Sequence, residues 1–477
     1  MNGNGVSALL RDSAKGRREW FAGLPLPIAS DLNGDAAVRT NRVLWRKRDT
    51  DPPVTARSDM TCRQDSSFVV LRKIATFSVV GNETVEKEMI RRDLAAQVLS
   101  VAPPKAVVIS GPRGAGKTTL LQSLIGSEFG RVRFLRGDDP ADVRFLSSLH
   151  AGEDVEAALA SADTIVIDEA QRVPSIGLIT KILADANEKT KLFLATSASL
   201  ELARGVPESA VGRVVHRRLW PLSVSELERQ YGRNFVEEHL ERLLVFGTLP
   251  EVVVRPDEAA ERLTSFVADR LLSAALELGR IRKLEGVRRL VTLLAQKLGR
   301  ETTVGALTRE AHLSPDSVAR WLFILERCFV IRSVFPFTGF PPKAFLAVRK
   351  FYFCDVGVRN AVLGDFRPFS ARNDAAALWE NFFIMERLKK HDLERSFRVQ
   401  QYQCERGEGR DARTENGLDA GRAAVFIERH NSRLEAFECR RKDPTTKHAG
   451  PTFLGSFPDI PLHVVTPQNC RPYFQLQ

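Results

Sequence analysis

The chain has no run of about 18 or more apolar residues, the length a membrane-spanning helix needs, so a bilayer protein is not expected. An apolar stretch following the first charges is missing too, which argues against a secretory leader and for a cytoplasmic protein. Cysteine is scarce: Cys62, Cys328, Cys354, Cys404, Cys439 and Cys470 are scattered, and no two form a C-x-x-C pair. That spacing argues against a metal site or a disulfide framework and fits reduced thiols. There is neither an internal repeat nor a low-complexity tract.

What is present points to a multidomain globular protein. At 477 residues the chain exceeds one ordinary core, so about three domains are expected. Its 43% hydrophobic content is enough to build them. The net charge of +11 is concentrated: between Arg280 and Lys350, fourteen basic and five acidic residues leave +9. Such a segment reads either as a solvated basic surface or as a footprint for a phosphate backbone, and charge alone does not separate the two.

Residues 1–80 mix Gly, Asn, Asp and Pro with short apolar clusters and no sustained period, so a flexible extension is expected, with a short strand around Phe68–Val70. From Val85 to Val101 apolar residues recur at helical spacing, and Pro103-Pro104 stops them. Then comes the buried strand Ala106–Ser110, running directly into a glycine loop and the helix Thr119–Ile125. A helix near 155–160, the strand Thr164–Ile167, a helix near 176–188 and the strand Lys191–Ala195 follow. Alternation of this kind predicts a parallel sheet covered on both faces, an α/β fold of the P-loop NTPase type. Beyond Trp220-Pro221 the pattern is helical to about residue 285, a lid. Three helices and an extended segment occupy 287–335; a helix over Ala376–Lys390 then leads into strands broken by the charged loop Glu405–Arg422.

The chemistry is carried by Gly111-x-x-x-x-Gly116-Lys117-Thr118, a full match to G-x-x-x-x-G-K-[ST]. Backbone N–H groups of Gly111, Pro112, Arg113, Gly114, Ala115, Gly116, Lys117, Thr118 and Thr119 would form the nucleotide cradle at a helix N-terminus, proline excepted as a donor. Lys117 would neutralise phosphate charge and the Thr118 hydroxyl would ligate Mg²⁺. About fifty residues on, Asp168 and Glu169 end a β-prone run, which sets carboxylates beside the phosphates of a doubly wound sheet. Asp168 is the second metal candidate; Glu169 would position the attacking water or take its proton. Two acids after a strand usually mark only a solvated turn, and the preceding glycine loop reverses that reading. Thr196-Ser197 closes the next strand, where a hydroxyl could meet the γ-phosphate. Arg213 is a candidate arginine finger for a neighbouring subunit, against the plainer reading of a surface residue.

Several segments resemble a prokaryotic group of the AAA superfamily: Gly111–Leu120, Ile167–Pro174, Ala195–Ser199, Gly205–Ser209, Gly212-Arg213 and Pro221–Ser223. Phe246–Glu251, Tyr352–Gly357 and Leu378–Phe382 are similar to it as well. The resemblance implies an ATPase domain, a winged helix and a C-terminal α+β domain related to restriction-type nucleases. It also implies Ser197 at a sensor position, a stronger case for Arg213 as a finger, and ATP as the nucleotide, since no N-K-x-D guanine motif is evident. The expected boundaries are 1–80 extension, 81–222 ATPase core, 223–285 helical lid, 286–370 winged helix and 371–477 degenerate nuclease-like domain. In that last domain Ala424 stands where the nuclease pattern needs Asp and Arg440 where it needs Lys, leaving Glu438 alone, so cleavage is not expected.

The function expected is therefore a Mg²⁺-dependent, homo-oligomeric ATPase that remodels or binds DNA, through 280–350, or a protein partner. A slow ATP-gated binding switch is the alternative. A P-loop kinase fits less well, because a kinase usually excludes a water-activating Glu.

Overall fold

A computed structural model describes residues 89–125, 130–149, 152–198, 212–273, 275–276, 284–337, 348–396, 399–404, 424–430, 433–441 and 451–476. The extension at 1–80, the strand expected at Phe68–Val70, the Gly205–Ser209 motif, the loop Glu405–Arg422 and the basic residues Arg280, Arg282, Lys283 and Lys343 lie outside them.

Five strands form a parallel sheet: β1 (Ala106–Ser110), β2 (Val132–Arg136), β3 (Thr164–Asp168), β4 (Lys191–Thr196) and β5 (Val214–Arg218), in the order β2-β3-β4-β1-β5. Strands β1 and β3 are buried end to end and β4 in all but its first residue, and successive side chains serve opposite faces. Val107, Ile109, Val166, Phe193 and Ala195 pack beneath α1 (Leu94–Leu99) and α2 (Lys117–Leu124). Ala106, Val108, Ile165, Ile167, Leu192 and Leu194 meet α3 (Pro140–Ser148), α4 (Glu153–Ala160) and α5 (Ile176–Asp185) on the other side. Each fully buried aliphatic side chain contributes about 1.5–3 kcal/mol, so this two-sided core is the anchor on which the loops at its rim are held.

Two differences from the sequence-based expectations bear on the site. The helix expected over Val85–Val101 is described only at Leu94–Leu99, and Met89–Asp93 is not helical. Arg92 accounts for this: its guanidinium donates to Ala115 O at 2.6 Å and Trp220 O at 2.5 Å, and pairs with Glu226 at 2.9 Å. Strands β2 and β5 were not anticipated. They are the sheet's edges, and Val-Arg-Phe-Leu-Arg and Val-Val-His-Arg-Arg carry too much charge to read as buried strands.

The segment expected to be a helical lid contains α6 (Val224–Tyr231), α7 (Phe235–Phe246), α8 (Pro250–Val253) and α9 (Ala259–Asp269). Ser223 and Glu226 form a capping box that starts α6, each side chain bonding the other residue's backbone N–H. Helices Leu284–Gln296, Val304–Ala311 and Pro315–Arg327 follow, then the antiparallel pair β6 (Ile331–Pro336) and β7 (Lys350–Phe353).

The pair does not stand alone. Strand β6 also pairs in parallel with β8 (Val399–Cys404), giving a six-stranded sheet β11-β10-β9-β8-β6-β7 with β9 (Ala424–His430), β10 (Arg433–Cys439) and β11 (Leu462–Val465). Strands from both sides of residue 370 therefore share one sheet. The helix Ala375–Leu393 is bolted to the rest through buried polar groups. Lys389 Nζ donates to Leu222 O at 2.9 Å and Thr248 Oγ1 at 3.1 Å, while Glu386 accepts from Val224 N at 2.9 Å. Asp355 accepts from Thr248 N at 2.8 Å. No helix of the described residues is long and apolar enough to cross a membrane.

Candidate functional site

The P-loop closes between β1 and α2. Gly116, the residue before the helix, has φ of 90°, a left-handed conformation that costs a side-chain-bearing residue and not glycine. Lys117 opens α2, yet its ammonium folds back to donate to Gly111 O and Pro112 O, both at 2.9 Å. It is buried, and burial pushes its pKa down to about 8; the carboxylates of Glu169 and Asp168 oppose that shift, and Arg113 adds to it. A desolvated cation whose hydrogen-bond partners among the described residues are carbonyls is a group that a phosphate would stabilise.

Strand order does the rest. Ser110 is in register with Thr196, and Ile167 with Leu194, so the ends of β1, β4 and β3 lie side by side. Thr118 Oγ1 donates to Asp168 Oδ2 at 2.7 Å, and the other carboxylate oxygen accepts from Glu169 N at 2.9 Å. A hydroxyl and a carboxylate, both hard oxygen donors, already face each other. Mg²⁺ is held by one or two carboxylates plus substrate phosphates, so this donor pair fits that ion.

Glu169 itself takes φ of 48°, rare for a non-glycine residue. The turn is held from the neighbouring strand, where Gly137 N donates to Asp168 O at 2.8 Å. A Cβ at residue 137 would fall well inside contact distance of Glu169 O and 3.0 Å from its carbonyl carbon. Gly137→Ala is therefore expected to destabilise the fold by about 1–3 kcal/mol, the usual cost of overpacking, and to displace both acids. Urea unfolding midpoints check this. An unchanged midpoint with unchanged ATP turnover would show that the turn tolerates a side chain.

Ser197 is buried at 1% exposure, and its Oγ has no hydrogen-bond partner among the described residues. Its backbone N donates to Gln171 Oε1 at 3.2 Å, and Gln171 Nε2 donates to Glu169 Oε2 at 2.6 Å. Thr196 turns its hydroxyl to Ala198 O at 2.7 Å and is occupied locally.

Arg213 lies elsewhere. It sits just before β5, where its carbonyl accepts from Ala106 N at 2.9 Å, at the end of β1 opposite the P-loop. Five strand residues separate the two ends, about 16 Å at the rise of a strand, so Arg213 cannot serve its own site. Its guanidinium pairs with Asp185 on the surface.

Leu249, Phe266 and Ser273 reach the loop from outside. A Cβ at Gly114 would meet Phe266 at 3.3 Å and Leu249 at 3.6 Å, and Arg113 Nη1 donates to Ser273 Oγ at 2.9 Å. Three residues at the site were not singled out from the sequence: Arg92, Gly137 and Gln171. For Gln171 there was a signal, since it stands within the segment Ile167–Pro174.

In the C-terminal half, Glu438 faces Val425 across the β9–β10 pair, with Oε1 accepting from Arg440 Nε at 2.7 Å and Oε2 buried without a partner among the described residues. Among the described residues no group of three or more His, Cys, Asp and Glu is placed to hold a metal.

Comparison with known proteins finds family matches for two segments of the chain. Residues 103–228 match the family model of an AAA domain, and residues 237–368 match that of a domain of unknown function (DUF8612). No curated protein matches the chain. Among solved structures, the chain aligns with domain III of the replication initiation protein DnaA of Thermotoga maritima. That alignment has 17% identity, covers 45% of this chain and 88% of that one, and has a TM-score of 0.22.

Proposed function

With an AAA-type P-loop domain at residues 103–228 as the premise, we propose that this chain hydrolyses ATP in a Mg²⁺-dependent reaction and couples its nucleotide state to a DNA or protein partner. The observation that carries the reading is the meeting of Lys117, the Thr118–Asp168 pair and Glu169 at the ends of adjacent strands. Lys117 gives up its carbonyl partners for phosphate oxygens of the nucleotide. Thr118 and Asp168 would hold Mg²⁺, which when bound supplies charge neutralisation across the phosphates. Glu169 orients the attacking water and receives its proton. Ser197 offers its unpartnered hydroxyl to the γ-phosphate. Leu249, Pro250 and Phe266, close to the glycines, exclude water from above.

Arg213 enters as a group supplied to the site of a second copy. Its position at the far end of the sheet is what supports this, because a finger acting in trans must lie away from its own nucleotide. On this reading the active form is a homo-oligomer.

The partner side rests on less. Helices Val304–Ala311 and Pro315–Arg327 with the β6–β7 pair support a winged helix, and the 375–476 segment supports a nuclease-like fold without cleavage. Part of the basic charge of 280–350 is spent internally: Arg289 on Glu285, Lys297 on Glu310, Arg332 on Gln400. Arg300 and Arg309 are exposed and form the candidate phosphate contacts.

ATP turnover measured against protein concentration, with and without duplex DNA, tests the whole reading. The rate per subunit is expected to rise with concentration, and Arg213→Ala to flatten that rise and lower the plateau about tenfold or more. Stimulation by DNA would assign the partner. A rate per subunit independent of concentration would remove the shared site, and nucleotide binding with no turnover would leave the slow switch.

A further inference from the structure

Gln171 occupies the short 3₁₀ turn that follows β3, 8% exposed and enclosed between the ends of β3 and β4. Both ends of its side-chain amide are used, and their chemistry fixes its orientation. The Glu169 carboxylate can only accept and the Ser197 backbone N–H can only donate, so Nε2 must face the first and Oε1 the second. One amide thus spans from the residue assigned to the attacking water to the strand end whose hydroxyl, without a partner among the described residues, is assigned to the γ-phosphate.

We propose that Gln171 is a positioning residue, which fixes the plane of the Glu169 carboxylate and ties it to the state of the Ser197 strand end. The inference rests on the ATPase reading above and adds to it how the site would register an intact γ-phosphate. Glu169 stands on a strained left-handed residue, where its backbone alone does not dictate one rotamer. Holding one carboxylate oxygen at 2.6 Å leaves the other a single plane in which to meet water. When the Ser197 hydroxyl engages phosphate, any shift of the β4 end is carried by the same amide to the carboxylate. The connection is a pair of hydrogen bonds across three residues, with no need for a wider rearrangement.

A merely structural tie between β3 and β4 would use the same bonds, so the test must separate the two. Gln171→Met keeps the volume and removes both bonds. In the full-length protein, kcat is expected to fall about 10²-fold, the cost of misplacing a reacting group by about 1 Å, with nucleotide affinity within about twofold of wild type. Gln171→Glu sets a second carboxylate against Glu169. Its deficit relative to wild type is expected to be largest above pH 7.5 and to shrink as pH falls toward 6, because the introduced carboxyl, its pKa raised by the like charge, can then donate as the amide did. Wild-type kcat in Gln171→Met overturns the proposal. So does a pH-independent deficit in Gln171→Glu, or a loss of kcat matched by equal losses in nucleotide affinity and unfolding midpoint. A wild-type protein that binds ATP and never hydrolyses it fails the ATPase reading itself, and this role falls with it.

Discussion

Lys117→Ala is expected to abolish nucleotide binding at working concentrations and with it all turnover. The ammonium is buried, its hydrogen-bond partners among the described residues are the carbonyls of Gly111 and Pro112, and desolvation has pushed its pKa down to about 8. A triphosphate entering the loop would lose the buried ammonium of Lys117, at a cost of about 3–5 kcal/mol for a desolvated charge left unpaired, or roughly 10²–10⁴-fold in affinity. The apo protein should not be weakened by the same change. With a folded pKa of about 8 against an ordinary 10.5, the folded state binds fewer protons than the unfolded one between those values. Through that window this lysine makes stability rise with pH, and at lower pH its charge is a burden on the fold. The variant should therefore unfold at an equal or higher denaturant concentration at pH 7. Nucleotide affinity has the opposite sign, since phosphate needs the protonated amine. In wild type it is expected to fall above pH 8, approaching about tenfold per pH unit, and in Lys117→Ala to be flat. Titration with a fluorescent ATP analogue at pH 7, 8 and 9 measures both. Wild-type affinity in the variant would sink the phosphate-cradle assignment.

The second large effect is expected from Glu169→Gln, with ATP bound as tightly as in wild type and hydrolysed about 10²–10⁴-fold more slowly. The substitution keeps the side-chain volume, and its amide oxygen can still accept from Gln171 Nε2, so the local fold has no reason to move. What is removed is the negative charge and the capacity to take a proton. The Thr118–Asp168 pair is untouched, so the metal donors stay in place. Single-turnover assays with saturating ATP separate the two steps: the variant should retain unhydrolysed ATP through gel filtration while wild type releases ADP. Hydrolysis at the wild-type rate would move the general base to another residue.

Much of this site was readable one residue after another. The P-loop is local: glycines at fixed spacing, a lysine and a hydroxyl amino acid, preceded by the four apolar residues Ala106–Ile109. The conformation demanded at Gly116 is one that few other residues adopt, so pattern and geometry coincide. Strands β1, β3 and β4 announced themselves because burial on both faces demands unbroken apolar runs. The acids after β3 followed from knowing that strand ends carry the chemistry in such sheets. Edge strands β2 and β5 did not announce themselves, because an edge is half solvated and takes arginine as readily as valine.

The sequence by itself therefore determined the parallel core, the loop that would cradle phosphate, and which two acids stand ready beside it. These features depend on contacts within a few residues or on burial, and both leave a periodic trace. Only the tertiary structure decided that Arg92 secures the P-loop from a residue more than twenty positions away, and that Gly137 buttresses the Glu169 turn. It alone joined Gln171 to both Glu169 and Ser197, put Arg213 at the far end of the sheet, and carried one sheet across residue 370. Each of these depends on which strands become neighbours. A polar side chain carries the same letters whether it meets water or a carbonyl brought to it by folding, so its partner is written nowhere until the chain has closed.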